Sequence, residues 1–161
     1  MKKVAVVAAL LAAAVGAILA GVGHAKAPGS RTFHLIEGNG GTFHFVDNPP
    51  RAKGRNPNDV SPGDQFVFTT PLLTTTRKHA GWLFGACTVV LAARARSVIN
   101  CTGTANLAGG KLAFVVNTRF DENVSRIPIV GGTGAYEGAR GSVISVSHAN
   151  GTSSDTIHLL P

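Results

Sequence analysis

A chain of 161 residues has room for one domain and little more, and its 15 basic against 8 acidic side chains give a formal charge of +7. The basic residues are scattered, with Arg51, Lys53 and Arg55 the one loose group. That pattern excludes the dense basic stripe with stacking aromatics of a nucleic-acid binder.

Lys2 and Lys3 open a positive head, followed by an uncharged Ala/Val/Leu/Gly run from Val4 to Val22 and small residues at cleavage spacing, ending at Ala25 or Ala27. The pattern predicts a signal peptide over 1–27 that is removed, leaving a secreted domain over 28–161 without stable membrane insertion. An uncleaved anchor is the alternative, since the run is long enough to span a bilayer. Without Lys2, Lys3 and Lys26 the charge falls to +4, twelve basic residues against eight acidic.

The remaining chain reads as short β-branched and aromatic runs between Gly, Asn, Asp and Pro. Arg31–Glu37 and Thr42–Asp47 flank Gly38-Asn39-Gly40-Gly41, a hairpin signal. Asn48–Gly63, with its prolines and charges, reads as a long surface loop. Strands follow at Gln65–Leu73, Ala80–Ala93, Ser97–Ala105, Lys111–Thr118, Arg126–Val130, Ser142–His148 and Thr156–Leu160, with tight turns at Gly109-Gly110 and Asn150-Gly151. Eight or nine strands with no amphipathic helix predict an all-β fold. A closed antiparallel eight-stranded barrel, calycin-like, removes the exposed edges of an open sheet. Its interior would hold side chains or one small ligand. A β-sandwich is the competing architecture.

Two cysteines in an exported chain favour a disulfide. If the chain turns near Arg94, Cys87 and Cys101 face each other across a hairpin, and closing a loop of about 15 residues stabilises by roughly 3 kcal/mol. Two free buried thiols are the alternative. Neither cysteine has a partner at zinc spacing, so no metal site is expected. His34 and His44 lie on neighbouring predicted strands without H-x-H or H-E-x-x-H spacing, and read as exposed or hydrogen-bonded strand histidines. There is no G-x-S-x-G elbow, and the glycine-rich run at 131–141 has neither phosphate-loop spacing nor a βαβ setting. Asn100, Asn123 and Asn150 begin glycosylation sequons, relevant only in a eukaryotic secretory route.

Three segments carry a resemblance. Gly63-Asp64-Gln65-Phe66-Val67-Phe68-Thr69-Thr70 enters a strand through a polar turn. Gly81-Trp82-Leu83-Phe84-Gly85-Ala86-Cys87 is a strand with a glycine ahead of a cysteine. Gly131-Gly132-Thr133-Gly134-Ala135-Tyr136-Glu137-Gly138-Ala139-Arg140-Gly141 matches a G-G-T-G-x-[FY]-x-x-A-R-G turn. In this order they resemble the allene oxide cyclase and dirigent superfamily of antiparallel barrels, over roughly Thr32 to Leu160. The resemblance implies a barrel with Tyr136 folded against its end and with Phe68, Thr70 and Tyr136 at a ligand cavity.

In plant allene oxide cyclases a first-strand glutamate and asparagine, and an asparagine after a phenylalanine-threonine pair, do the polar work. Here Thr70 follows Phe68-Thr69, Glu37 and Asp47-Asn48 are the first-strand candidates, and Cys87 matches the cavity cysteine. In dirigent proteins a first-strand aspartate and an arginine near the G-G-T-G corner act on the ligand, which implies Asp47 and Arg140 in those roles. A buried carboxylate with a raised pKa would serve as acid or base, and the guanidinium would hold an anionic oxygen. The plainer alternative is a surface Asp and an Arg paired with Glu137 or Asp155.

The functional expectation is a secreted barrel that steers cyclisation or coupling of a small, apolar, reactive molecule by restraint and water exclusion, with no cofactor. A non-enzymatic exported barrel binding a small apolar ligand or surface partner is the second reading, and a filled, purely structural barrel the third. The resemblance also implies a homo-oligomer, since dimers and trimers both occur in the superfamily.

Overall fold

A computed structural model describes residues 30–48, 60–93 and 96–161. The leader over 1–27 with its Ala25 and Ala27 cleavage sites, the group Arg51, Lys53 and Arg55, and the turn at Arg94 lie outside the described residues. Among those described there are nine strands and no helix. They are β1 (Arg31–Glu37), β2 (Thr42–Val46), β3 (Gln65–Leu73), β4 (His79–Leu91), β5 (Val98–Leu107), β6 (Gly110–Arg119), β7 (Val124–Gly134), β8 (Gly141–Ser147) and β9 (Ser153–Leu159). Consecutive strands from β3 to β9 pair antiparallel, and β1 pairs with both β9 and β3. That double pairing closes an eight-stranded ring and rules out the sandwich.

The predicted hairpin between the first two strands is not formed. β1 and β2 both lie along the same edge of β3: Glu37 faces Leu72, and five residues later Thr42 faces Thr69. The chain therefore runs straight on, and β2 stands outside the ring on the part of β3 that β1 does not reach. Gly38 N–H donates to the Pro71 carbonyl at 2.8 Å, and a Cβ on Gly41 would collide with the Thr69 carbonyl oxygen. The glycines serve a close strand-to-strand approach, a use as consistent with their freedom as a turn.

Alternation sets the inner face. Asp155, Ile157 and Leu159 on β9 are buried at every second position, and Leu35, Leu83, Leu112 and Ile129 bring apolar side chains inward from other strands. The core fills the end of the barrel near the β7–β8 connection, where Tyr136 and Ala139 join it. The G-G-T-G run is a corner, as the sequence suggested: its first residues finish β7, and Gly132 lets the following turn approach so closely that a Cβ there would strike the Tyr136 carbonyl oxygen. The Tyr136 hydroxyl accepts from Arg31 Nη2 at 3.3 Å, and that guanidinium lies 5.0 Å from the Phe33 ring and 5.3 Å from the Tyr136 ring.

At the other end, the fully buried Asp64 holds the loop before β3. Its carboxylate accepts from the backbone N–H groups of Asn48 at 2.9 Å and Ser61 at 2.7 Å, and from the Ser61 hydroxyl at 3.0 Å. Cys87 and Cys101 face each other on β4 and β5 and are bonded, with S–S 2.07 Å.

Candidate active site

Above the packed end the barrel encloses a cavity of about 360 Å³, at the small end of the ~300–1,000 Å³ usual for small-molecule sites. Its two walls differ. On β3 to β6 the strand register lines up inward side chains in rows: Phe66, Cys87, Cys101 and Val116 form one, and Phe68, Gly85, Gly103 and Phe114 the next. Both glycines are spacers. A Cβ on Gly85 would meet the Phe68 ring, and one on Gly103 the Phe114 ring, so the glycine pair lets two phenyl rings lean across the interior.

The opposite wall is polar. Ser125, Ser145, Asp155 and Leu35 form a row across β7, β8, β9 and β1, and Ser147, Ser153 and Glu37 form the row beside it. Glu37 and Asp155 are thus diagonal neighbours on adjacent strands, within reach of each other. They share a hydrogen bond, and Asp155 accepts a second from Ser145. Burial, with the Asp155 charge added to it, pushes the Glu37 carboxyl from 4.5 up to about 8. Burial also raises Asp155, against the opposing pull of its hydrogen bonds to Ser145 and Glu37. At neutral pH Glu37 therefore keeps its proton. Asp155 is 7% exposed, and its Oδ1 is buried with no hydrogen-bond partner among the described residues.

Phe43 and Phe120 border the cavity as well, both partly exposed. Phe66 joins them, with its ring centroid 5.5 Å from each. The rim is thus aromatic.

Of the residues singled out from sequence, Glu37, Phe68, Cys87 and Cys101 line the cavity. Thr70 is half-buried, faces Leu83 across β3–β4, and does not border the cavity. Tyr136 is buried in the packed end, beneath the cavity rather than on it. Asp47 follows β2 and Arg140 precedes β8, where it is exposed and its carbonyl accepts from Leu160 N–H at 2.8 Å. Neither borders the cavity, and the fold does not bring them together. Asp155 does not pair with Arg140; its neighbour is Glu37. His34 and His44 are exposed, His34 sharing a hydrogen bond with Thr156 at 3.1 Å. No group of three metal-ligating side chains occurs among the described residues.

Sequence profiles of known families and curated proteins yield no match to this chain. Solved structures do match it. The barrel is similar to a pyocyanin demethylase, with TM-score 0.65 at 21% identity over 80% of this chain and 99% of the other. It is also similar to a pterocarpan synthase dirigent protein, with TM-score 0.57 at 19% identity over 81% and 91%. A Diels-Alderase from Streptomyces koyangensis gives TM-score 0.62 at 13% identity over 81% and 63%. At these identities the likeness is one of fold: the chain has the barrel of dirigent proteins and of enzymes that close rings, as the three segments suggested.

Proposed function

We propose that the protein is an exported barrel that binds a small, largely apolar, reactive molecule and steers its cyclisation, with Glu37 and Asp155 as the acid–base pair. The observation that carries this reading is the buried carboxyl pair, set among serines on one wall of a cavity whose facing wall is apolar. An apolar box restrains a flexible molecule and keeps water out. A carboxylic acid held neutral at pH 7 can donate a hydrogen bond to an oxygen that gains negative charge as the ring closes, and can take that bond back afterwards. Such an isomerisation needs no group carried in from elsewhere. The fold shared with dirigent proteins and Diels-Alderases supports the reading. The leader pattern and the Cys87–Cys101 bond support export.

The test begins with native mass spectrometry of the protein taken from the medium of its own host. A bound apolar molecule is expected, and its mass nominates the substrate or product. Incubation of the corresponding open-chain precursor should then give the cyclised isomer, with Glu37→Gln slowing turnover about 100-fold or more while retaining the ligand. A ligand that is held but unchanged by wild type and variant alike identifies a carrier, and overturns the catalytic reading.

A further inference from the structure

The geometry points to the chemical class of the ligand: a small apolar body carrying a protonated nitrogen, seated against Asp155 and Glu37. The inference rests on the reading of the barrel as a small-molecule site and adds a charge to that molecule.

The cavity wall contains two carboxyl groups and no Lys, Arg or His. The groups that face the pair are neutral on every packed strand: Leu72 across from Glu37 on β3, Ser145 and Ser147 on β8, Ser125 on β7, and Ser153 on β9. The nearest imidazoles are occupied elsewhere. His34 and His158 are exposed, bonded to Thr156 and Thr32, and His148 bonds Ser154 Oγ at 2.7 Å. Arg31 is held at the packed end by Tyr136. Among the described residues, then, the carboxyl pair has no basic side chain beside it on the cavity wall, and Asp155 Oδ1 has no hydrogen-bond partner.

A buried carboxylate without a cation or a full set of donors is costly. Asp155 and Glu37 both border the cavity, and nothing on its wall carries a positive charge to offset theirs. An ammonium or protonated ring nitrogen supplies both missing things, a charge and an N–H donor, in a charge-assisted hydrogen bond. A neutral apolar ligand would leave the carboxyl pair without a counter-charge, and an anionic ligand would set a like charge beside it. The phenyl rings of Phe68 and Phe114 on the facing wall suit the hydrocarbon part. Because Glu37 holds its proton up to about pH 8, a bound cation also favours the ionised form of Glu37, and binding should strengthen as pH rises through that region until the amine itself loses its proton.

Three probes with one ring system test this on the full-length protein: 1-naphthylmethylamine, 1-naphthylmethanol and 1-naphthoate, titrated by fluorescence and calorimetry. At pH 7 the amine should bind about tenfold or more tighter than the alcohol, and the carboxylate weakest. The amine-to-alcohol ratio should grow between pH 6 and pH 8. Asp155→Asn with Glu37→Gln should bring amine and alcohol within about twofold of each other. Should that double variant not fold, the pH series on the unmodified protein decides. Equal binding of amine and alcohol, or a preference for naphthoate, overturns the cationic ligand and leaves the small-molecule site intact. No binding by any of the three overturns the small-molecule reading and this inference with it.

Discussion

At the scale of single residues, the two carboxyl groups make the barrel sensitive to pH. Glu37 binds its proton more tightly in the folded chain than at its ordinary value of 4.5, and Asp155 is raised as well. Between the ordinary carboxylate range and about pH 8 the folded state therefore holds more protons than the unfolded one, and stability falls as pH rises. Each unit of difference is worth about 1.4 kcal/mol, so the loss amounts to a few kcal/mol. The urea midpoint should decline from pH 5 to pH 9, and Glu37→Gln should flatten most of that decline. A midpoint that holds level or climbs over this range would show that Glu37 is ionised throughout. Glu37 and Asp155 were both within reach of the sequence. Glu37 stood among the first-strand candidates on the strength of a resemblance. Asp155 escapes the sequence reading of the cavity because the predicted last strand starts at Thr156, three residues after β9 begins at Ser153. Extending the alternation of Ile157 and Leu159 by one step places Asp155 on the inner face.

Single elements explain which connections were legible. The β4–β5 pairing follows from two cysteines placed symmetrically about a turn, and Cys87 does face Cys101. The β1–β2 connection does not follow, because Gly38-Asn39-Gly40-Gly41 suits a hairpin as well as a break in a strand that continues along β3. Both need positive φ, which Gly40 adopts at 97°, and only the partner strand decides between them. The two connections predict different sensitivities. Reduction of Cys87–Cys101, or its replacement by serines, removes a constraint on the unfolded chain worth roughly 3 kcal/mol. Equilibrium urea unfolding with and without reductant measures this, and coincident curves would show that the bond does not form in the protein. Gly41→Val places a branched side chain against the Thr69 carbonyl. It should detach β2 from β3 and raise amide exchange over Thr42–Val46, leaving β4 to β9 protected. Unchanged exchange there would mean that the strand edge yields without separating.

Across the whole molecule, the all-β class and a count of eight or nine strands could be read from composition and alternation, closure into a barrel rested on the resemblance, and the cavity could not be read at all. It arises because the register aligns Gly85 with Gly103 and Cys87 with Cys101, so that the β4–β5 part of the wall carries small side chains where larger ones would fill the ring. That arrangement exchanges stability for space. Ala105 lies one row further along the same two strands, facing Leu83 and bordering the cavity. Ala105→Leu adds three carbon atoms at the apolar wall of the cavity, each worth up to about 0.8 kcal/mol when it fills a void rather than displaces a neighbour. The variant should raise the urea midpoint at constant slope, while weakening 1-naphthylmethylamine and 1-naphthylmethanol together by about tenfold or more, since both would lose the same volume. A loss confined to the amine would trace to the carboxyl pair and not to space. A lowered midpoint would mean that Phe68 and Phe114 already occupy the room in solution and that the barrel opens only when a ligand enters.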